Sequence, residues 1–145
     1  MHKYILAIAI NLVVAVANAQ PYTEPARGSE LRADLLDAIR PIAQWHLGAP
    51  IEFVVWDMRV NGDVAFVSLW AQRPGGGKIN MATTPIVRRQ QLDPEAGDGP
   101  AMQALLKRSG RMWVAVEYGI SPSDVWWDWD EYCPIWSTVI PETCP

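Results

Sequence analysis

At positions 61 and 62 an Asn-Gly pair separates two runs rich in β-branched and aromatic residues, IEFVVWDMRV at 51–60 and VAFVSLWA at 64–71. Such a pair is the strongest short-range signal for a two-residue hairpin turn, because the turn needs positive φ, which Gly adopts freely and Asn more easily than most residues. With Asn61 and Gly62 as the two turn residues, Val60 faces Asp63. Alternation then sets Val54, Trp56 and Met58 beside Ala65, Val67 and Leu69, and that face is expected to be the core. The opposite face carries Phe53, Val55, Phe66 and Trp70 among Asp57, Arg59 and Ser68, and is expected to be mixed and partly open.

A second hairpin is expected over 101–120, turning at Ser109-Gly110. Its first arm, AMQALLKR, is also compatible with helix. The second arm is the clearer strand, with Met112, Val114, Val116 and Tyr118 alternating against Trp113, Ala115 and Glu117. Before the first hairpin, Leu31, Leu35, Ile39 and Ile42 recur at helical spacing behind a Ser29 N-cap, and Gly48 and Pro50 mark the stop. Pro41 lies inside that pattern and predicts a kink near 37–41 or two short helices. Between the hairpins, 73–100 is rich in Gly and Pro and reads as a mobile or functional loop with at most a short strand around 85–88. These elements predict an α+β domain, with an N-terminal helix packed on an antiparallel sheet of about four strands, a short C-terminal helix and a disulfide-closed tail.

The first residues, MHKYILAIAINLVVAVANAQ, have the basic start, short apolar run and Ala-Asn-Ala triplet of a cleaved secretory signal. The expected division is a signal peptide over 1–19, a flexible leader over 20–28 holding Pro21 and Pro25, and one domain over 29–145. The mature protein is therefore expected in the periplasm or the medium, with no membrane span after cleavage. The chain's net charge of −4 becomes −5 without Lys3, which argues against a nucleic-acid partner. Cys133 and Cys144, the two cysteines of the chain, would meet an oxidising compartment and are expected to pair.

Motifs for chemistry fail on inspection. Gly77-Lys78 lacks the phosphate-loop pattern, since Gln72 and Ile79 occupy the positions of the first Gly and the Ser or Thr. The acidic run 93–98 has Gly97 where a calcium loop needs Asp or Asn. His46 is the one histidine of the mature chain, placed in the last helical turn, where the helix dipole would favour its charged form. No cofactor and no metal site are expected. The stretch SDVWWDWDEYCP at 123–134 remains. A helix starting at Pro122 would turn Val125, Trp126, Trp129, Tyr132 and Cys133 inward and leave Trp127 outward among Asp124, Asp128, Asp130 and Glu131. Trp127, Asp128 and Glu131 are then the candidate ligand-binding residues. Two functions fit: a non-enzymatic binding module for a protein or cell-envelope component, or a glycan hydrolase using Asp128 and Glu131 as acid and base.

Three segments, LLDAIRP at 35–41, FVVWDMRVNGDVAFVSLWAQRPGG at 53–76 and WVAVEYGISPSDVWWDW at 113–129, resemble a family of small exported bacterial proteins, largely from proteobacteria. The resemblance spans most of the mature chain and implies a helix plus an antiparallel sheet. It implies no catalytic residue, and the two-cysteine tail is not a feature associated with that family.

Overall fold

The computed structural model describes residues 20–144, so the expected signal peptide at 1–19 lies outside the described residues. The chain forms α1 (Glu30–Leu47), β1 (Glu52–Asn61), β2 (Val64–Gln72), α2 (Pro85–Arg88), β3 (Ala101–Ser109), β4 (Met112–Ile120) and α3 (Cys133–Trp136). The four strands make one antiparallel sheet in the order β1-β2-β3-β4. Helix α1 covers one face of the sheet, and the C-terminal tail covers part of the other. The α+β expectation holds, with a disulfide closing the tail.

Helix α1 starts where expected. Ser29 Oγ accepts a hydrogen bond from the Arg32 amide at 3.3 Å, and Gly48 at φ 82° ends the helix. Leu35, Ile39, Ala43 and Leu47 are fully buried against the sheet. The helix runs unbroken through Pro41, so of the two expected outcomes, a kink near 37–41 or two short helices, the second does not occur. Pro41 is exposed, so the Asp37 carbonyl that loses its donor lies on the solvent side, where water can replace the bond.

Both hairpins form, each with its turn one residue later than expected. Asn61 pairs with Val64 around Gly62-Asp63, and Ser109 pairs with Met112 around Gly110-Arg111. Gly62 has φ 54°, whereas Asn61 belongs to the strand, so the first loop position alone takes the left-handed conformation. The α1 face receives Met58 and Val60 from β1, opposite Ala65, Val67 and Leu69. At Trp56 the ladder slips by one residue, Val55 pairing with Leu69 and Asp57 with Ser68. Beyond this β-bulge the inward positions become Phe53 and Val55, while Val54 and Trp56 are exposed, reversing their expected faces.

The segment 73–100 is shaped and partly buried. A 3-10 turn at Met81–Thr83 leads into α2, a helix where a strand was expected, and Ile79 and Ile86 are buried. The leader is also held. Thr23 and Val60 exchange backbone hydrogen bonds of 2.9 Å each, and the Arg59 guanidinium stands 5.0 Å from the Tyr22 ring centre.

After β4 the chain does not enter an α-helix at Pro122. It makes 3-10 turns at Trp126–Asp128 and Asp130–Tyr132, separated by Trp129 in an extended conformation. The Trp126 and Trp127 rings both reach the sheet. Trp126 lies against Gly119, where a Cβ would collide with its indole nitrogen, and Trp127 packs on Phe66 with ring centres 4.9 Å apart. Phe66, Leu105, Trp136, Val139 and Ile140 form the buried cluster beneath the tail. The Cys133–Cys144 bridge, with Cα atoms 5.4 Å apart, ties this tail into a loop. Replacing both cysteines by serine is expected to cost about 2–3 kcal/mol, read from the urea midpoint at constant slope.

Candidate functional site

Trp127, proposed from sequence as an exposed ring, is largely covered by Phe66 and the tail, and its Nε1 is buried without a hydrogen-bond partner. Trp129, expected inside, is 54% exposed. Trp127 and Trp129 thus exchange places and Val125, also expected inside, is exposed, whereas Trp126 and Tyr132 stay inward and Asp124, Asp128, Asp130 and Glu131 outward; the extended backbone at Trp129 breaks the helical period. Asp128 and Glu131 are both exposed, and neither lines any of the clefts flanking β1.

The structure instead assembles a groove along β1, which the sheet order leaves as an edge strand. The chain begins a fifth strand against that edge at Thr23 and abandons it within two residues. Pro25 explains the departure, since it has no amide hydrogen to continue the ladder. Pro25 is buried, and its carbonyl accepts from Arg32 Nη1 at 3.1 Å, which turns the leader toward α1. Two contiguous clefts follow, of about 340 and about 320 Å³. They run beside β1 from Glu52 to Met58 and share Arg27, Arg32 and Val55.

The electrostatics of the groove are uneven. Asp57 is engaged by Arg59 at 2.6 Å, and Glu52 accepts from the Gly75 amide at 3.0 Å and from Gln72 at 3.4 Å. Arg27 and Arg32 form no ion pair among the described residues. At the groove's end stands Trp56, 55% exposed, its ring centre 5.2 Å from that of Trp70 and inclined by 31°. Trp70 in turn leans on Gly99, where a Cβ would crowd the ring. The bulge that turns Trp56 outward thus sets it on a fixed aromatic support.

Sequence reasoning missed this groove. A signal was present: Asp57, Met58, Arg59 and Val60 alternate, whereas Phe53, Val54, Val55 and Trp56 do not. Such a break in alternation is where an extra residue can enter the ladder.

A second cluster closes the end of α1. Arg89 donates to the Trp45 carbonyl at 3.3 Å, approaches His46 Nδ1 at 3.4 Å, and stands 4.8 Å from the Trp45 ring centre. His46 Nε2 lies 3.5 Å from the Tyr118 hydroxyl. His46 does occupy the last helical turn, but its pKa is lowered, first by burial and then by the Arg89 charge. Arg89, and not His46, thus supplies the cation at the helix C-terminus. The neutral imidazole fits the fold better than the charged one. Its stabilising contribution is complete above the unfolded value of about 6.5 and is lost as pH falls through the lower folded value. Thermal melts are expected to show wild-type stability falling more steeply below about pH 6.5 than that of His46→Gln.

No group of three or more His, Cys, Asp or Glu side chains is placed to hold a metal ion among the described residues. No helix among them is long and apolar enough to cross a membrane. Comparison of the chain with protein-family models, with curated proteins and with solved structures finds no match.

Proposed function

We propose that this protein is an exported binding domain that holds a protein or other cell-envelope component along β1, with Trp56 as its anchor. One observation carries this reading: a half-exposed tryptophan stands on a second tryptophan at the mouth of a groove lined by two arginines without carboxylate partners. Aromatic and arginine side chains dominate binding energy at interfaces, because they bring large contact area and directional donors with few degrees of freedom to freeze. A disulfide and the signal-like first twenty residues support a place outside the cytoplasm. The glycan-hydrolase alternative gains nothing from the geometry, since Asp128 and Glu131 are both exposed and line neither cleft beside β1.

The reading is tested by affinity capture from native envelope extracts with wild-type, Trp56→Ala and Trp129→Ala proteins. Both changed side chains are more than half exposed, so both variants are expected to fold. A partner retained by wild type and Trp129→Ala and lost with Trp56→Ala is the expected result. Capture unaffected by Trp56→Ala would overturn it.

A further inference from the structure

We infer that the groove along β1 takes an extended acidic peptide that adds to the sheet as a fifth strand. This deepens the binding reading and rests on it for the location of the site. The edge already accepts a strand, since Thr23 and Val60 exchange two backbone hydrogen bonds of 2.9 Å in antiparallel sense. Pro25 then removes the chain's own continuation, so the main-chain donors and acceptors of β1 beyond Val60 face an open cleft. An antiparallel peptide entering there would take up the register that Thr23 starts and the leader leaves. From Glu52 to Met58 the strand spans about 20 Å, room for five or six extended residues.

The peptide's charge follows from which lining groups are already engaged. Asp57 is held by Arg59, and Glu52 by Gln72 and the Gly75 amide, which leaves Glu24 alone against Arg27 and Arg32. Those guanidinium groups sit on both clefts and are suited to paired hydrogen bonds with a carboxylate. Trp56 supplies an apolar platform for a side chain at the end of the same strand. Strand addition of this kind draws affinity from the main chain and selectivity from alternate side chains.

A phage library of linear octapeptides, selected on the mature disulfide-bonded protein, is the probe. Enriched sequences are expected to combine β-branched residues with Asp or Glu. Synthetic copies N-methylated at one set of alternate amides should lose binding, while copies methylated at the other set should keep it, because only one set faces the edge. Arg27→Glu with Arg32→Glu should weaken a selected peptide by about tenfold or more. Selection without acidic enrichment, or equal tolerance of both methylation patterns, would contradict strand addition. The methylated peptides leave the protein unchanged, so a folding defect cannot imitate their effect. If Trp56→Ala abolishes capture of the envelope partner while both methylation patterns are tolerated, the binding reading stands and strand addition falls. The opposite pattern removes the envelope partner and keeps the peptide site.

Discussion

Trp136→Ala is expected to destabilise the protein by about 3–5 kcal/mol, the cost of truncating a large core side chain. Trp136 is 3% exposed at the centre of the cluster under the tail, and its Nε1 donates to the Leu106 carbonyl at 2.9 Å. Truncation therefore opens a cavity and leaves a buried acceptor on the sheet without that donor. Tyr132, whose ring meets Trp136 at 69°, and Val139 and Ile140 would lose a common neighbour. Trp129→Ala, at a half-exposed ring, is expected to cost under about 1 kcal/mol. Urea unfolding of the two variants side by side checks both values, and the disulfide would keep the tail closed in each.

Arg59→Met is the second large effect, expected at about 2–4 kcal/mol. The Arg59 side chain is only 14% exposed and joins parts distant in sequence: Asp57 at 2.6 Å, Glu142 at 2.5 Å and the Val139 carbonyl at 3.1 Å. Its guanidinium also stands 5.2 Å from the Phe66 ring centre and 5.0 Å from that of Tyr22. Burial alone would lower its pKa, and the hydrogen bonds to Asp57 and Glu142 more than reverse that. Methionine keeps the apolar stem over the rings and removes the charge, so the loss would come mainly from two carboxylates left unpaired. Adding Asp57→Asn and Glu142→Gln is expected to recover part of the loss. No recovery in urea unfolding would show that Arg59 acts through packing alone.

The elements were largely legible and their faces were not. Asn-Gly and Ser-Gly located both hairpins, because few other dipeptides suit tight turns between β-rich runs. Each turn nevertheless closed one residue later than the dipeptide implied, which moves the pairing by two residues, Met58 from Ala65 to Val67, and so leaves the faces unchanged. The bulge at Trp56 is what exchanged the faces within β1, so Met58 was read correctly and Val54 and Trp56 were not. In the tail, the helix-start signals at 121–124 were followed by two 3-10 turns broken by extended backbone at Trp129, so positions read from one helical period did not hold. The disulfide was readable because a signal-like start implies an oxidising compartment and the two cysteines stand eleven positions apart, the separation that the bridge spans. The groove was not, since Arg27, Arg32 and Trp56 meet only when Pro25 turns the leader aside and the bulge turns the tryptophan out.

Trp56 and Trp129 are now the informative pair, alike in exposure and different in setting. One stands on Trp70 beside a charged groove, and the other stands on the tail, away from it. A photo-crosslinking amino acid placed at position 56, and separately at position 129, in the protein made by its native cells tests the account most directly. Irradiation is expected to yield a discrete crosslinked species from position 56 and none from position 129. A crosslink from position 129 alone, or from neither position, would contradict a binding site on β1.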